Sequence, residues 1–212
     1  MAAALENRGH EAVFLDYPST EADIVQLTDA IMPVGVKACA GKPTSVVAHS
    51  MGGLILRTWL RDHEIPNIHR VVMLGTPNQG SDLADALGDI DLYHWINGPA
   101  GADLMTGPDG IASGLPPANF ELGVIAGDLS LNPVFSSLVD GPDDGKVSVA
   151  STRLNGMKDH IVMHTTHTFM MNNPLVIAET AHFIERGTFN HDMGITDAAE
   201  SIIKPDLDRA GG

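Results

Sequence analysis

The stretch S-V-V-A-H-S-M-G-G at residues 45–53 decides how this chain folds. Its first part, Ser45–His49, is a short apolar run that contains two valines, as expected of a strand covered on both faces. A helix is predicted directly after it, from about Met51 to His63. Only Ser50 stands between the two elements, so the chain must turn very sharply there and hold the serine in a strained backbone conformation.

Short apolar runs of the same kind occur along the rest of the chain. They are nearly continuous instead of alternating, which is how strands buried on both faces read. Four more strands are therefore predicted, at Ala12–Tyr17, Val71–Gly75, Leu122–Ala126 and His160–Met163.

Two further helices are predicted from the spacing of apolar residues. One covers Thr20–Ala38, with Ser19 or Thr20 as its N-cap, and Pro33 is expected to kink it or end it early. The other covers about Asn173–Arg186. Strands that alternate with helices indicate an α/β domain in which a mostly parallel sheet is flanked by helices.

The composition fits one globular domain and excludes several classes of partner. The chain has 212 residues, 43% of them hydrophobic and 18% charged, which is enough to build a core. Its net charge of −15 repels phosphate backbones, so no nucleic-acid partner is predicted. The single cysteine, Cys39, allows no internal disulfide, and no run approaches the roughly 18 apolar residues of a membrane span.

Ser50 is predicted to be a nucleophile. A-H-S-M-G at 48–52 matches the pattern G-x-S-x-G with alanine at its first position, a turn that requires small residues, here Ala48 and Gly52, on both sides of the serine. His49 and Met51 are the remaining residues of this elbow, and the Met51 amide is the expected donor to the oxyanion. The alternative is an ordinary strand–helix turn that happens to contain serine and glycine.

With these residues the chain resembles the α/β-hydrolase family, and within it the bacterial lipases and esterases. A-H-S-M-G-G at 48–53 is similar to their elbow, and L-G-T-P-N-Q-G-S at 74–81 to the strand and loop that follow it. D-G-K-V at 144–147 and H-T-F at 167–169 occupy the places of their acid and histidine segments. The resemblance extends from residue 1 to about 189 and implies a hydrolase domain over that range.

A serine hydroxyl needs a base, which in turn needs a carboxylate to orient it. In this family the order along the chain is serine, acid, histidine. Asp144 is the preferred acid because it precedes Gly145 at a turn and matches the D-G-x-V of the lipases. Asp143 and Asp128 remain alternatives, and a run of aspartates that only cap their own turns is the non-catalytic interpretation.

His167 is the preferred base, since it follows a predicted strand in a loop, where ligands bind in open α/β sheets. His160 is interpreted as structural, and His182 lies in the middle of a predicted helix. His164 and His167 together resemble a pair of zinc ligands, but no third ligand has a clear spacing. No metal or cofactor is therefore predicted.

Two segments depart from the regular alternation. Residues 80–119 are expected to be a lid-like insertion, because a loop this long inside a compact domain is usually functional. Its apolar residues either line the underside of a lid or simply pack on the core; they are Leu83, Leu87, Leu92, Trp95, Ile96, Leu104 and Met105. Residues 190–212 have few apolar side chains and are expected to be a weakly structured tail.

One part of the family pattern is missing at the front. The second oxyanion donor of these hydrolases comes from an H-G loop after an earlier strand, and neither precedes Glu11 here. We therefore expect the chain to be N-terminally truncated, through a late start codon or as a fragment, and to be poorly active as written. A degenerate, inactive hydrolase is the alternative, and any targeting signal would lie upstream of Met1.

These patterns together predict a serine hydrolase that cleaves carboxylic esters, of a small molecule or a lipid, through Ser50, Asp144 and His167 and an acyl-enzyme intermediate. A thioesterase is one alternative. The other is a non-catalytic binding or interaction protein of the same fold. The oligomeric state does not follow from the sequence.

Overall fold

The computed structural model describes residues 1–87 and 99–203. In these residues four strands form one parallel sheet in the order β1-β2-β3-β4, with bounds β1 (Thr44–His49), β2 (Ile68–Leu74), β3 (Leu122–Gly127) and β4 (Asp159–Met163). The helices are α1 (Ala2–Glu6), α2 (Ile24–Ala38), α3 (Met51–Asp62), α4 (Asp82–Leu87), α5 (Ala100–Asp103), α6 (Pro133–Ser136), α7 (Pro174–Arg186) and α8 (Ile195–Ile203). The predicted α/β architecture, with helices flanking a parallel sheet, is confirmed.

The two faces of the sheet each carry an apolar layer. Side chains of β2 alternate between them, because successive residues of a strand point to opposite faces. Met73 joins the layer formed with α2 and α3, while Val72 joins the layer formed with Phe183 of α7. All three side chains are fully buried, so the sheet is enclosed between helices from both sides.

The strand predicted at Ala12–Tyr17 is wrong. These residues have no regular secondary structure, and Phe14 is 75% exposed. A strand exists only through hydrogen bonds to a neighbouring strand, and no described strand pairs with this segment. Strand β1 therefore lies at the edge of the described sheet, with Ala48 as its one buried residue.

Helix α2 begins later than predicted and reaches its predicted end, Ala38, without stopping at Pro33. Its N-cap is Asp23, whose side chain accepts a hydrogen bond from the Gln26 amide at 2.8 Å, instead of Ser19 or Thr20. The helix continues through Pro33 to Ala38. Proline has no N–H to donate to the carbonyl oxygen four residues earlier in the helix. Because Pro33 is exposed, water can donate to that oxygen instead.

Helices α3 and α7 follow the prediction closely. Helix α7 has Asn173 as its N-cap, whose side chain accepts a hydrogen bond from the Leu175 amide at 2.9 Å. It ends at Gly187, which has a φ of 78°, the left-handed conformation that favours glycine at helix ends.

The segment predicted to be a weakly structured tail contains helix α8. This helix packs on α7 and buries Ala198. Arg8 also connects the region, since it forms a salt bridge with Glu185 at 2.9 Å and donates to the carbonyl oxygen of Ser201 at 2.6 Å. Residues 204–212 lie outside the described part of the chain.

The described part of the 80–119 segment packs on the core. Leu83 is buried, and Leu104 packs against the layer of α2 and α3. Of the predicted lid residues, Leu92, Trp95 and Ile96 lie outside the described residues. Across residues 1–87 and 99–203, no helix has the length and apolar character needed to cross a membrane.

Candidate active site

Ser50 occupies a strained turn between β1 and α3. Its φ and ψ are 54° and −128°, and among the described non-glycine residues only Ser50 and Asn67 have a positive φ. Hydrogen bonds hold this backbone in place: the Ser50 amide donates to the Leu74 carbonyl at 2.9 Å, and the Ser50 carbonyl accepts from Thr76 Oγ1 at 3.0 Å. Such strain costs about 1–3 kcal/mol and typically occurs at functional sites.

A chain of two hydrogen bonds connects Ser50, His167 and Asp144. Ser50 Oγ lies 2.8 Å from His167 Nε2, and Asp144 Oδ2 lies 2.8 Å from His167 Nδ1. The side chains of His167 and Asp144 are 5% and 0% exposed. Because a carboxylate only accepts, Nδ1 carries the hydrogen, which leaves Nε2 free to accept the proton of the serine hydroxyl.

The other oxygen of Asp144 is held by the backbone that follows it. Oδ1 accepts from the amides of Lys146 at 3.1 Å and Val147 at 2.9 Å. The Asp144 carbonyl accepts from the His167 amide at 2.9 Å. A buried carboxylate needs such donors, and this set leaves Oδ2 directed at the imidazole.

The alternative acids have other partners. Asp143 Oδ1 accepts from Ser136 Oγ at 3.0 Å and from the Gly145 amide at 2.7 Å, so it stabilises the turn. Asp128 pairs with His164 at 3.0 Å on the exposed surface. The carboxylate hydrogen-bonded to His167 is that of Asp144.

The remaining histidine candidates lie apart from Ser50. His160 Nε2 is 3.0 Å from Thr152 Oγ1, and burial lowers the pKa of His160 to about 4, in line with its structural interpretation. His182 lies on α7, and burial lowers its pKa as well. No group of three histidine, cysteine or acidic side chains that could hold a metal ion occurs among the described residues.

Gly75 is a site residue that the sequence analysis missed. It follows β2 with a φ of 53°, and a Cβ there would lie 3.0 Å from Asp144 Oδ2 and 3.2 Å from His167 Nδ1. Any side chain at this position would crowd these two atoms, which form the hydrogen bond between the acid and the histidine. Its sequence signals were the glycine that ends the apolar run Val71–Gly75 and its place in the segment at 74–81 that resembles the lipases.

The two glycines after Ser50 differ in how closely they are packed. A Cβ on Gly52 would lie 3.5 Å from the Tyr17 hydroxyl and 3.9 Å from the Ala48 Cβ, which is ordinary contact. A Cβ on Gly53 would overlap the side chain of Thr76. Helix α3 therefore has no room for a side chain at Gly53, a position that the elbow pattern does not constrain.

Met51 is buried and is the first residue of α3. The first amides of a helix have no acceptor within the helix and lie at the positive end of its dipole. The Met51 amide is one of these, and it follows Ser50 directly in the chain.

His49 contacts the main chain of His167. Its Nε2 lies 3.1 Å from the His167 carbonyl oxygen, and the centres of the two rings are 4.9 Å apart. Burial and the proximity of His167 lower the pKa of His49 to about 4, so its ring is neutral near pH 7.

No protein-family model matches the chain, and a comparison with curated proteins finds no match. Solved structures do resemble it. The mature lipase BlEst2 of Bacillus licheniformis is 23% identical, with 82% of each chain covered and a TM-score of 0.61. The phospholipase PlaB of Legionella pneumophila is 18% identical over 89% of this chain, with a TM-score of 0.58.

A Listeria innocua protein is 19% identical over 81% of this chain and 73% of its own length, with a TM-score of 0.50. The chain spans 52% of PlaB and 45% of the propeptide form of BlEst2. Identities at this level establish a common fold. The parallel sheet flanked by helices and this likeness together show that the chain has the α/β-hydrolase fold.

Proposed function

We propose that the protein is a serine hydrolase that cleaves carboxylic esters in the manner of lipases and esterases. The observation that carries this proposal is the hydrogen-bonded chain Ser50–His167–Asp144, with 2.8 Å at each step. The strained backbone of Ser50 supports it, because strain of this kind persists where a side chain must be presented to a substrate.

In the proposed reaction Ser50 Oγ attacks the ester carbonyl carbon while His167 Nε2 takes the hydroxyl proton. Asp144 holds the Nδ1–H of the imidazole and stabilises the imidazolium that forms. The negative charge on the carbonyl oxygen is stabilised by the Met51 amide at the start of α3. The tetrahedral intermediate then collapses, His167 gives the proton to the departing alcohol, and an acyl-enzyme remains.

Water completes the reaction by the same route. His167 Nε2 takes a proton from the water as its oxygen attacks the acyl carbon. The second tetrahedral intermediate expels Ser50 Oγ, which recovers its proton from His167, and the carboxylic acid leaves. Two steps of similar chemistry thus replace one difficult hydrolysis.

The substrate class is proposed from the neighbours and from the 80–119 segment. BlEst2 is a lipase and PlaB a phospholipase, which favours an ester of a lipid or of a small molecule.

We assign residues 1–189 to the hydrolase domain and treat 80–119 as a lid-like insertion on it. Arg57 of α3 binds this insertion, because its guanidinium donates to the carbonyls of Leu115 and Pro116 at 3.2 and 3.4 Å.

Hydrolysis of p-nitrophenyl esters of increasing acyl length tests the proposal. We expect slow turnover by the wild type, because the Met51 amide is its one assigned oxyanion donor, and a further loss of about 1,000-fold or more in Ser50→Ala. Ser45→Ala, which removes a hydroxyl from the same strand, should retain wild-type rates. No hydrolysis by the folded wild type, or full activity in Ser50→Ala, would overturn the proposal. A sharp preference for the acetyl ester would contradict a lipid substrate.

A further inference from the structure

His49 is the last residue of β1 and directly precedes Ser50. We propose that His49 is a positioning residue: its Nε2–H holds the main-chain carbonyl of His167 and thereby keeps the His167 ring between Ser50 and Asp144. This inference rests on the proposed function and deepens it, because it assigns a role to a side chain that does not touch the reacting atoms.

The direction of the hydrogen bond follows from its partners. A carbonyl oxygen can only accept, so the hydrogen must reside on His49 Nε2, 3.1 Å away. Since the pKa of His49 is lowered to about 4, the ring is neutral near pH 7 and has the tautomer protonated at Nε2. His49 therefore carries no positive charge near pH 7, so it does not repel the imidazolium that His167 becomes in the proposed reaction.

His167 depends on such support because no strand or helix holds it. Strand β4 ends at Met163, and the segment from His164 to Phe169 has no regular secondary structure. The main chain of His167 is bonded on both sides: its amide donates to the Asp144 carbonyl at 2.9 Å, and its carbonyl accepts from His49. Loss of the second bond would leave a carbonyl of this residue, which is 4% exposed, without its partner.

A small displacement of His167 is enough to affect the reaction. Its ring must meet Ser50 Oγ and Asp144 Oδ2 at 2.8 Å simultaneously, and a misplacement of about 1 Å can cost roughly 100-fold in rate. The rings of His49 and His167, 4.9 Å apart and inclined at 41°, also limit how far His167 can tilt.

Three substitutions separate the hydrogen bond from simple packing. His49→Gln places an amide N–H as far from the main chain as Nε2, His49→Asn presents the same amide one methylene too short, and His49→Phe keeps the ring without the donor. We expect kcat for p-nitrophenyl butyrate to fall roughly 10- to 100-fold in His49→Asn and His49→Phe, with KM within about 2-fold. His49→Gln keeps the donor, so its kcat should stay close to that of the wild type.

A second measurement does not depend on turnover. The Nδ1–H of His167, held by Asp144, should give a low-field proton resonance in the NMR spectrum, assigned by its loss in His167→Asn. We expect this resonance in the wild type and His49→Gln, and its broadening or loss in His49→Asn and His49→Phe. Thermal unfolding identifies any variant that fails to fold.

The outcomes distinguish the two proposals. If His49→Asn and His49→Phe keep both kcat and the resonance, or if His49→Gln loses them as those variants do, the positioning role is wrong. If the wild type hydrolyses no ester, the proposed function fails, while the resonance in the four proteins still decides whether His49 positions His167.

Discussion

Asp143 and Asp144 are neighbours in the sequence and have different partners in the structure. Asp144 Oδ2 contacts His167, whereas Asp143 Oδ1 is bonded to Ser136 and to the Gly145 amide. Both aspartates belong to the same turn, so spacing alone left both open, and Asp144 was favoured by its place before Gly145 and by the resemblance to the lipases. Which carboxylate faces the histidine depends on the direction of each side chain. For Asp144 this is set by the following amides that hold Oδ1 and by His167, which lies 23 residues further along the chain.

Asp144→Asn should reduce kcat for p-nitrophenyl butyrate by roughly 10,000-fold, because the amide no longer selects the imidazole tautomer with hydrogen on Nδ1. Asp143→Asn is the matched control and should keep kcat within a few-fold of the wild type. Steady-state kinetics of the two variants, with thermal unfolding to check the fold, make the comparison. A larger loss of kcat in Asp143→Asn than in Asp144→Asn would show that Asp144 is not the acid.

Local signals were enough to predict the segment from β1 to α3. A short apolar run, a serine between small residues and a helical pattern all lie within a few positions. The strand expected at Ala12–Tyr17 was wrong because a strand also needs a neighbour, and no local pattern reports one. The tight packing at Gly53 escaped notice for a similar reason, since its contact, Thr76, follows the next strand.

Gly53→Ala should destabilise the protein even though alanine is the better helix former by about 1 kcal/mol. The added methyl group would overlap Thr76, and such overpacking typically costs about 1–3 kcal/mol. Gly52→Ala gains the same helix propensity without a clash, so it should leave the free energy of unfolding unchanged or raise it. Urea unfolding of both variants tests this. Equal free energies of unfolding in Gly53→Ala and Gly52→Ala would contradict the difference in packing between the two glycines.

The arrangement of the whole molecule followed from the alternation of strands and helices, and the parallel sheet bears it out. The contacts between residues that lie far apart in the sequence could not be predicted. One example is Arg57, whose buried guanidinium donates to the carbonyl of Asn78 at 2.8 Å as well as to those of Leu115 and Pro116. Burial lowers the pKa of Arg57 to about 10, so it stays charged near pH 7 and connects α3 with two loops.

The stability of the whole molecule should fall in mild acid. Burial lowers the pKa of His160 to about 4, whereas an unfolded histidine titrates near pH 6.5. Between those values the unfolded chain binds more protons than the folded one, so the free energy of unfolding decreases as the pH falls. Replacing His160 with glutamine, which does not titrate, should make the loss of Tm between pH 7 and pH 5 smaller; the same loss as in the wild type would contradict this.

Each step of the proposed reaction depends on Ser50 being an activated nucleophile. Treatment of the folded protein with a fluorophosphonate probe, followed by mass spectrometry of its peptides, tests it most directly. We expect covalent labelling at Ser50 that disappears in Ser50→Ala and slows strongly in His167→Asn. A folded wild type that remains unlabelled, or labelling that persists unchanged in Ser50→Ala, would contradict it.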